Sequence, residues 1–193
     1  MKTSIAILVV LTAAALPATA MAQQEKKAPV PVAVGDLFPR LEAEFLSGRK
    51  AVLPDASKGK TALVLMGFTY DSRFAVEKWA ARFNDVYGKT EGVTFFEVPV
   101  IGGMGRLASW FIDSGMRRGT PRELHENVIT VYGNVDRWKT VMGFTPSGEN
   151  DAYLALLDVD GRVTWRARGP LQDEAFAALQ SAVAAELQRR GPS

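Results

Sequence analysis

The sequence predicts an α/β domain with a central mixed β-sheet flanked by helices. Two continuous apolar segments of strand length, Thr61 to Gly67 and Val93 to Val100, are typical of strands buried on both faces of a sheet. Segments with helical spacing alternate with these strands. The chain closes with two apolar segments around a tight turn, followed by a long amphipathic helix, so an antiparallel hairpin is expected beside the parallel strands.

The first half of the domain opens with a predicted hairpin. In LEAEFLSGRKAVLP (residues 41–54), polar and apolar residues alternate on both sides of Ser47 and Gly48. After the first buried strand, residues 72–88 follow the helical period, and Gly88 is the expected stop. The apolar positions of this helix are Val76, Trp79, Ala80, Phe83, Val86 and Tyr87.

A second helix is expected in RLASWFIDSGMRR (residues 106–118), after a glycine-rich loop. Thr120 and Glu123 are spaced as a capping box, with Pro121 in the first turn, which predicts a short helix that ends at about Glu126. The apolar residues expected to share one face of the longer helix are Leu107, Trp110, Phe111 and Met116.

The remaining elements complete the alternation of strands and helices. The last helix carries acidic residues first and arginines last, as the helix dipole favours. In order, the expected elements are the strand VITVY (residues 128–132), the helix VDRWKTVMG (residues 135–143), a hairpin that turns at Asp160 and Gly161, and the helix of residues 173–190.

Length and composition fit one globular domain behind a leader. The chain has 193 residues, of which 47% are hydrophobic and 23% charged, and a formal net charge of only +2. Such a weak positive charge argues against nucleic acid as a partner, because nucleic acid requires a strong basic field. The domain is predicted to span residues 35–190, after a proline-interleaved tether at residues 23–34.

Residues 1–22 have the pattern of a secretory signal peptide. Lys2 precedes an apolar core from Ile5 to Leu16, which is shorter than the roughly 20 residues of a membrane span. Ala20 and Ala22 provide the small residues that a signal peptidase reads. The expected mature protein is therefore exported to the periplasm after cleavage behind Ala22, and peripheral association with the membrane is compatible with it.

The chain has no cysteine, which excludes thiol–disulfide exchange and thiolate-based metal centres. The junction GFTYDSRFAVEKW (residues 67–79) holds Asp71 and Ser72 between a strand and a helix. A hydroxyl nucleophile needs an adjacent base, and the single histidine, His125, lies far away in the sequence. Capping of the helix by Asp71 or Ser72 is therefore preferred to a Ser72–His125–Asp71 triad.

The order of elements, the turn after Gly67 and the closing LLDVDGRVTW hairpin with its helix resemble the thioredoxin-like superfamily, including its peroxiredoxin and thiol-disulfide branches. That resemblance implies a three-layer fold, and in redox members this junction holds the reactive cysteine. The cis-proline that usually precedes the hairpin is not expected, because Pro146 comes several residues too early. The substrate grip of a working redox protein is therefore not expected either.

Two C-terminal segments are similar to the mitochondrial ATP-synthase assembly-factor family. They are RGTPRELHENVITVYGNVDRWKTVMGF (residues 118–144) and AYLALLDVDGRVTWRARGPLQDEAFAAL (residues 152–179), within a resemblance that covers about residues 35 to 190. Members of that family lack a redox cysteine pair and assist assembly of the membrane sector of the F-type ATP synthase. Members of that family carry organelle-targeting leaders, whereas the pattern of residues 1–22 predicts a leader of the secretory type.

These observations together predict an exported, non-catalytic thioredoxin-like protein that needs no cofactor and binds a protein partner, such as a membrane complex under assembly. Alternatives are a small-molecule or copper-binding module, for which methionines and His125 would supply ligands, and a degenerate redoxin enzyme. The copper alternative is disfavoured because methionines at regular spacing are typical of core residues. The residues predicted to bind the partner are Met104, Arg106, Trp110, Arg166 and Arg168.

Overall fold

The computed structural model describes residues 30–103 and 108–190 of the chain. Within these residues, seven strands and four helices follow one another, with short 3-10 turns between some of them. In chain order they are β1 (Leu41–Phe45), β2 (Lys50–Leu53), β3 (Thr61–Gly67), α1 (Ser72–Tyr87), β4 (Val93–Ile101), α2 (Ser109–Gly119), β5 (Ile129–Tyr132), α3 (Val135–Met142), β6 (Ala152–Leu157), β7 (Val163–Gly169) and α4 (Asp173–Arg189).

The seven strands form one mixed sheet in the order β2-β1-β5-β4-β3-β6-β7. The central strands β5, β4 and β3 are parallel, whereas both outer pairs are antiparallel. The predicted α/β fold with a mixed sheet and a closing hairpin is thereby confirmed. Because β3, β4 and β5 run in the same direction, their carboxyl ends meet at one edge of the sheet, where α1, α2 and α3 also begin; this is called the carboxyl edge below.

Two apolar clusters fill the two faces of the sheet. Side chains alternate along β3, so that Val64 and Met66 join one cluster while Leu63 and Leu65 join the other. The first cluster packs against α3 through Trp138, and the second packs against α1 and α4. The continuous apolar sequence of residues 61–67 is thus explained by burial of every residue in the strand.

The segment before β1 also contributes to the core. Val32, which lies within the predicted tether, is 4% exposed, and its N–H donates to the carbonyl of Val141 in α3 at 2.9 Å. The predicted signal peptide and residues 23–29 lie outside the described residues. In residues 30–103 and 108–190, no helix is both long enough and apolar enough to cross a membrane.

The predicted capping box at Thr120 does not form. Residues 122–124 make a single 3-10 turn to which no side chain gives a capping hydrogen bond, and Thr120 instead ends α2 through its own N–H. Pro121 is in an extended conformation, which leaves Thr120 outside the turn that it was expected to cap. Pro146 opens another single 3-10 turn, and its peptide bond is trans.

Candidate functional site

The junction between β3 and α1 is closed by a reciprocal pair of hydrogen bonds. The hydroxyl of Thr69 accepts the N–H of Ser72 at 3.0 Å, and the hydroxyl of Ser72 accepts the N–H of Thr69 at 3.1 Å. Ser72 also donates to the Thr69 carbonyl at 2.7 Å. Helix capping at this junction therefore uses Ser72 together with Thr69, whereas the Asp71 side chain makes no capping bond.

This arrangement leaves Ser72 without the features of a nucleophile. Its side chain is fully buried, and its hydroxyl both donates to and accepts from Thr69. A β-carbon placed on Gly67 would come within 2.6 Å of the Ser72 hydroxyl, so the strand end packs directly against it. The ring of His125 contacts the carbonyl of Thr120 at 3.1 Å and makes no hydrogen bond to Ser72 or Asp71, so the triad is not assembled.

Four aromatic side chains are exposed where α1 and α2 begin. Tyr70 and Phe74 flank the start of α1 and are 73% and 49% exposed; Trp110 and Phe111 start α2 and are 72% and 62% exposed. The guanidinium of Arg73 lies 4.3 Å from the ring centre of Tyr70 and 4.4 Å from that of Phe74. These five residues are called the aromatic edge below, because they surround the carboxyl ends of β3 and β4.

Of the five residues of the aromatic edge, the sequence prediction named only Trp110 as a binding residue. Tyr70 and Phe74 lie outside the apolar stripe of α1, which runs through Val76, Trp79 and Phe83 and faces the core. Their position off that stripe is the signal that indicates exposure. Trp110 was predicted as a binding residue, and the structure places it at this edge with its ring exposed.

A fixed aromatic cluster supports the part of the edge next to α1. The rings of Phe68, Phe144 and Tyr153 pack against one another with centre-to-centre distances between 5.4 and 5.8 Å. Thr69 links the same region to the loop before β6, because its hydroxyl lies 2.8 Å from the Asn150 side-chain oxygen. The backbone just before Tyr70 is therefore fixed by the packing of Phe68 and by the hydrogen bond of Thr69.

α2 is attached to the sheet mainly by polar contacts. None of its residues is buried. The hydroxyl of Tyr132 in β5 donates to the Asp113 carboxylate at 2.7 Å, and the Arg117 side chain donates to the Leu46 carbonyl at 2.7 Å. Burial and the bond to Asp113 raise the pKa of Tyr132, so this hydroxyl keeps its proton as a donor.

The two predicted arginines occupy different environments. Arg166 donates to the backbone carbonyls of Val32 and Met142, the second at 2.7 Å, and its burial lowers its pKa. Arg166 therefore joins β7 to the N-terminal segment and to α3. Arg168 is exposed at the carboxyl edge, where it donates to the Thr145 hydroxyl at 2.6 Å and lies 3.7 Å from Asp151. Their role in partner binding stays a prediction.

The remaining predicted residues do not form a ligand site with these. Met104 and Arg106 lie outside the described residues. Met66 and Met142 are buried in the apolar cluster of the α3 face, where they act as core side chains. In the part of the chain that the structure describes, no group of three or more histidine, aspartate or glutamate side chains is placed to hold a metal ion.

Comparison with known proteins identifies the fold. No protein-family model matches the chain. No curated protein matches it either. Among solved structures, it is similar to a Chlorobium tepidum protein provisionally identified as the thiol:disulfide interchange protein DsbE, with 17% identity, a TM-score of 0.54, and coverage of 81% of this chain and 99% of that one.

Two further structures give the same result. The thioredoxin domain of a thiol-disulfide oxidoreductase from Bacteroides vulgatus is 18% identical, with a TM-score of 0.52 and coverage of 79% and 99% of the two chains. An exposed lipoprotein thioredoxin from Streptococcus pneumoniae is 15% identical, with a TM-score of 0.51 and coverage of 75% and 98%. The chain therefore has a thioredoxin-like fold, and it has no cysteine with which to carry out thiol–disulfide chemistry.

Proposed function

We propose that this chain is a non-catalytic thioredoxin-like module that binds a protein partner through the aromatic edge. The observation that carries the proposal is the position of the exposed aromatic side chains. In the described residues, all four of the large aromatic residues that are exposed lie where α1 and α2 begin, at one edge of the sheet. A contiguous group of exposed apolar side chains is typical of an interaction surface, whereas single exposed apolar residues are common on any protein.

The chemistry of the edge fits a protein surface with apolar and acidic groups. Tyr, Trp and Arg are the residue types that contribute most to protein–protein binding. Arg73 is held between Tyr70 and Phe74, so its charge is oriented before a partner arrives and less side-chain entropy is lost on binding. Arg168 lies at the rim, where a charge contributes mainly to the rate of association.

The residues at the junction support a module that does not use thiol chemistry. The chain has no thiol, and the hydroxyl nearest to the usual position of the reactive group is buried and bonded to Thr69. The junction therefore supports the helix that presents Tyr70 and Phe74. Because a fold does not by itself fix a function, the proposal depends on the side chains exposed at this edge and not on the fold.

The cellular setting is a further part of the proposal. The predicted signal peptide favours an exported protein, and one of the similar structures is an exposed lipoprotein thioredoxin. The resemblance of residues 118–144 and 152–179 to the ATP-synthase assembly-factor family favours a membrane complex as the partner, with the F-type ATP synthase as the first candidate. The domain would then act from the outer side of that membrane.

Crosslinked capture of the chain from its own cell envelope tests the docking surface. We expect one dominant partner, whose recovery falls at least about tenfold with Trp110→Ala or Tyr70→Ala, since a central interface residue contributes about 2 kcal/mol or more. The matched control is Val86→Ala, which removes an exposed apolar side chain near the other end of α1 and should leave recovery unchanged.

The results separate the parts of the proposal. Equal recovery with Trp110→Ala, Tyr70→Ala and Val86→Ala would show that the aromatic edge is not the docking surface. A dominant partner that depends on the edge but belongs to no membrane complex would remove the assembly role alone. Unchanged assembly of the ATP synthase in a deletion strain would remove that first candidate.

A further inference from the structure

A polar groove opens where β1 and β5 separate. Its volume is about 850 Å³, and its walls come from β1, β5 and the first turns of α2 and α3. Ser109 and Asp113 of α2 line one side, and Arg137 and Trp138 of α3 line the other. None of the four exposed aromatic rings lines this groove, so it is distinct from the aromatic edge.

The backbone at the groove is incompletely paired. β1 and β5 are antiparallel neighbours, but their register contains only the pairs Glu44–Thr130 and Phe45–Ile129. Beyond Thr130, β5 pairs with β4 through Val131 and Tyr132, and its side toward β1 has no strand partner among the described residues. Half of the backbone groups of a strand point to each side, so this stretch presents free donors and acceptors to the groove.

Thr130 marks the point where the ladder ends. Its side chain is 5% exposed, and its hydroxyl has no hydrogen-bond partner within residues 30–103 and 108–190. A buried hydroxyl without a partner is costly, so such groups are normally bonded to protein or to a bound molecule. Thr130 lines the groove and therefore offers a hydrogen bond to whatever enters it.

Charge and apolar surface alternate across the groove. Glu44 lies opposite Thr130 and therefore on the same face of the sheet, which is also the face of Asp113. Glu42 on that face is bonded to Arg40 at 2.7 Å, which leaves Glu44 as the carboxylate of β1 without an ion pair in the described residues. On the other face Ala43 is partly exposed, and behind it lie the buried side chains of Val131 and Trp138.

These properties fit an extended peptide better than a small molecule. Sites for small molecules are mainly apolar with a few polar groups, whereas this groove is lined largely by charged and polar residues and by free backbone groups. An extended peptide satisfies strand backbones by adding another strand, and side-chain alternation gives it specificity. Basic side chains would face Glu44 and Asp113, and apolar side chains would face Ala43 on the side of the apolar core.

We propose that the groove between β1 and β5 binds an extended polypeptide segment of alternating basic and apolar residues, added as a strand along the free side of β5. The segment belongs to a partner protein. It is recognised by backbone hydrogen bonds to β5, by the Thr130 hydroxyl and by the carboxylates of the α2 face. This inference does not depend on the aromatic edge, since the two surfaces share no side chain.

The test is a fluorescence-polarisation titration of the purified chain with a labelled, terminally blocked hexapeptide of alternating lysine and valine. We expect saturable binding that weakens about tenfold with Glu44→Lys, which reverses a charge on an exposed side chain. Thr130→Val should weaken binding about fivefold, because it removes the hydroxyl but keeps the shape. Thr61→Val is the matched control, since Thr61 also has a buried hydroxyl without a partner but lies at the start of β3.

Two control peptides distinguish strand addition from simple attraction of charge. The same hexapeptide with N-methylated valines lacks alternate backbone donors and should bind at least about tenfold more weakly. A glutamate–valine hexapeptide should not bind. The proposal is overturned by an absence of binding at millimolar peptide, by equal affinity of the N-methylated peptide, or by equal affinities of the Thr130→Val and Thr61→Val variants.

Discussion

α1 and α2 both begin at the carboxyl edge and both present two exposed aromatic residues there, but they are held to the protein in different ways. α1 buries an apolar stripe that includes Trp79 and Phe83, and the Thr69–Ser72 pair closes its first turn. α2 buries no residue and is attached through Asp113 and Arg117.

The aromatic edge therefore combines a firmly packed part, at the start of α1, with a lightly attached part, at the start of α2. Tyr70 and Phe74 are attached to backbone that packs firmly against the core, so they present a defined geometry to a partner. The rings of α2 belong to a helix that buries none of its residues fully and leaves Trp110 and Phe111 exposed, so a partner would supply packing that these two rings lack in the domain itself. Stability should therefore depend on α1, and binding on both helices.

The largest expected effect comes from comparing one residue type in the two helices. Trp79 is 1% exposed, and its indole N–H donates to the Gly169 carbonyl at 3.1 Å, whereas Trp110 is 72% exposed. Trp79→Ala should lower the free energy of unfolding by about 3–5 kcal/mol, through the lost burial and the cavity left behind. Trp110→Ala should change it by less than about 0.5 kcal/mol. Urea denaturation followed by circular dichroism measures both values.

The phenylalanine variants keep this comparison measurable if Trp79→Ala does not fold. Trp79→Phe retains most of the apolar contact and leaves the Gly169 carbonyl without its donor, so a loss of about 1–2 kcal/mol is expected. Trp110→Phe should again be neutral. Equal losses for the two tryptophans would show that α2 is packed as firmly as α1, and the contrast between the helices would be wrong.

The sequence predicted the elements that local pattern determines. β3 was predicted at residues 61–67 because an uninterrupted apolar run of that length suits a strand covered on both sides, and the structure has it at those residues. The helix stop at Gly143 was predicted as well, and this glycine takes the left-handed conformation (φ 70°) that ends α3. In both cases the signal lies within a few residues of the element that it determines.

Other features depend on contacts that the sequence does not show. Spacing indicated that Trp110 and Phe111 share a helix side, but whether that side is covered depends on the rest of the fold. Arg166 was predicted as a partner-binding residue. The sequence does not show its bonds to the core, because the carbonyls that it binds come from Val32 and Met142, which are 134 and 24 residues away in the chain. The groove between β1 and β5 exists because their pairing stops at Glu44 and Thr130. No local sequence pattern indicates where that pairing stops.

A second test concerns the strand beneath α1. Glu97 in β4 is half-buried, and burial, with a smaller effect of Glu77 in α1, raises its pKa from 4.5 to about 7. The folded state therefore binds more protons than the unfolded state between these pH values, so stability falls as the pH rises through this window. A difference of that size corresponds to about 3 kcal/mol in the free energy of unfolding.

Replacement of this carboxyl group checks the assignment. Glu97→Gln, compared by urea denaturation at the two ends of the window, should remove most of the decrease seen in the native chain. Glu91→Gln removes an exposed carboxylate from the preceding turn and should keep the native pH profile. If the free energy of unfolding of Glu97→Gln falls with pH as much as that of the native chain, the pH dependence arises from groups other than Glu97.

The smallest expected effect tests how α2 is attached. Tyr132→Phe removes the hydroxyl that donates to Asp113 and leaves the ring in place. Because a hydrogen bond to a charged group contributes about 1.5 kcal/mol, amide hydrogens of residues 109–119 should exchange roughly tenfold faster, while those of α1 keep their rates. Tyr87→Phe is the control, since its hydroxyl makes no hydrogen bond within the described residues, and it should alter neither helix. Faster exchange in both helices would show that they open together, and the aromatic edge would then be one cooperative surface, without a fixed half and a lightly attached half.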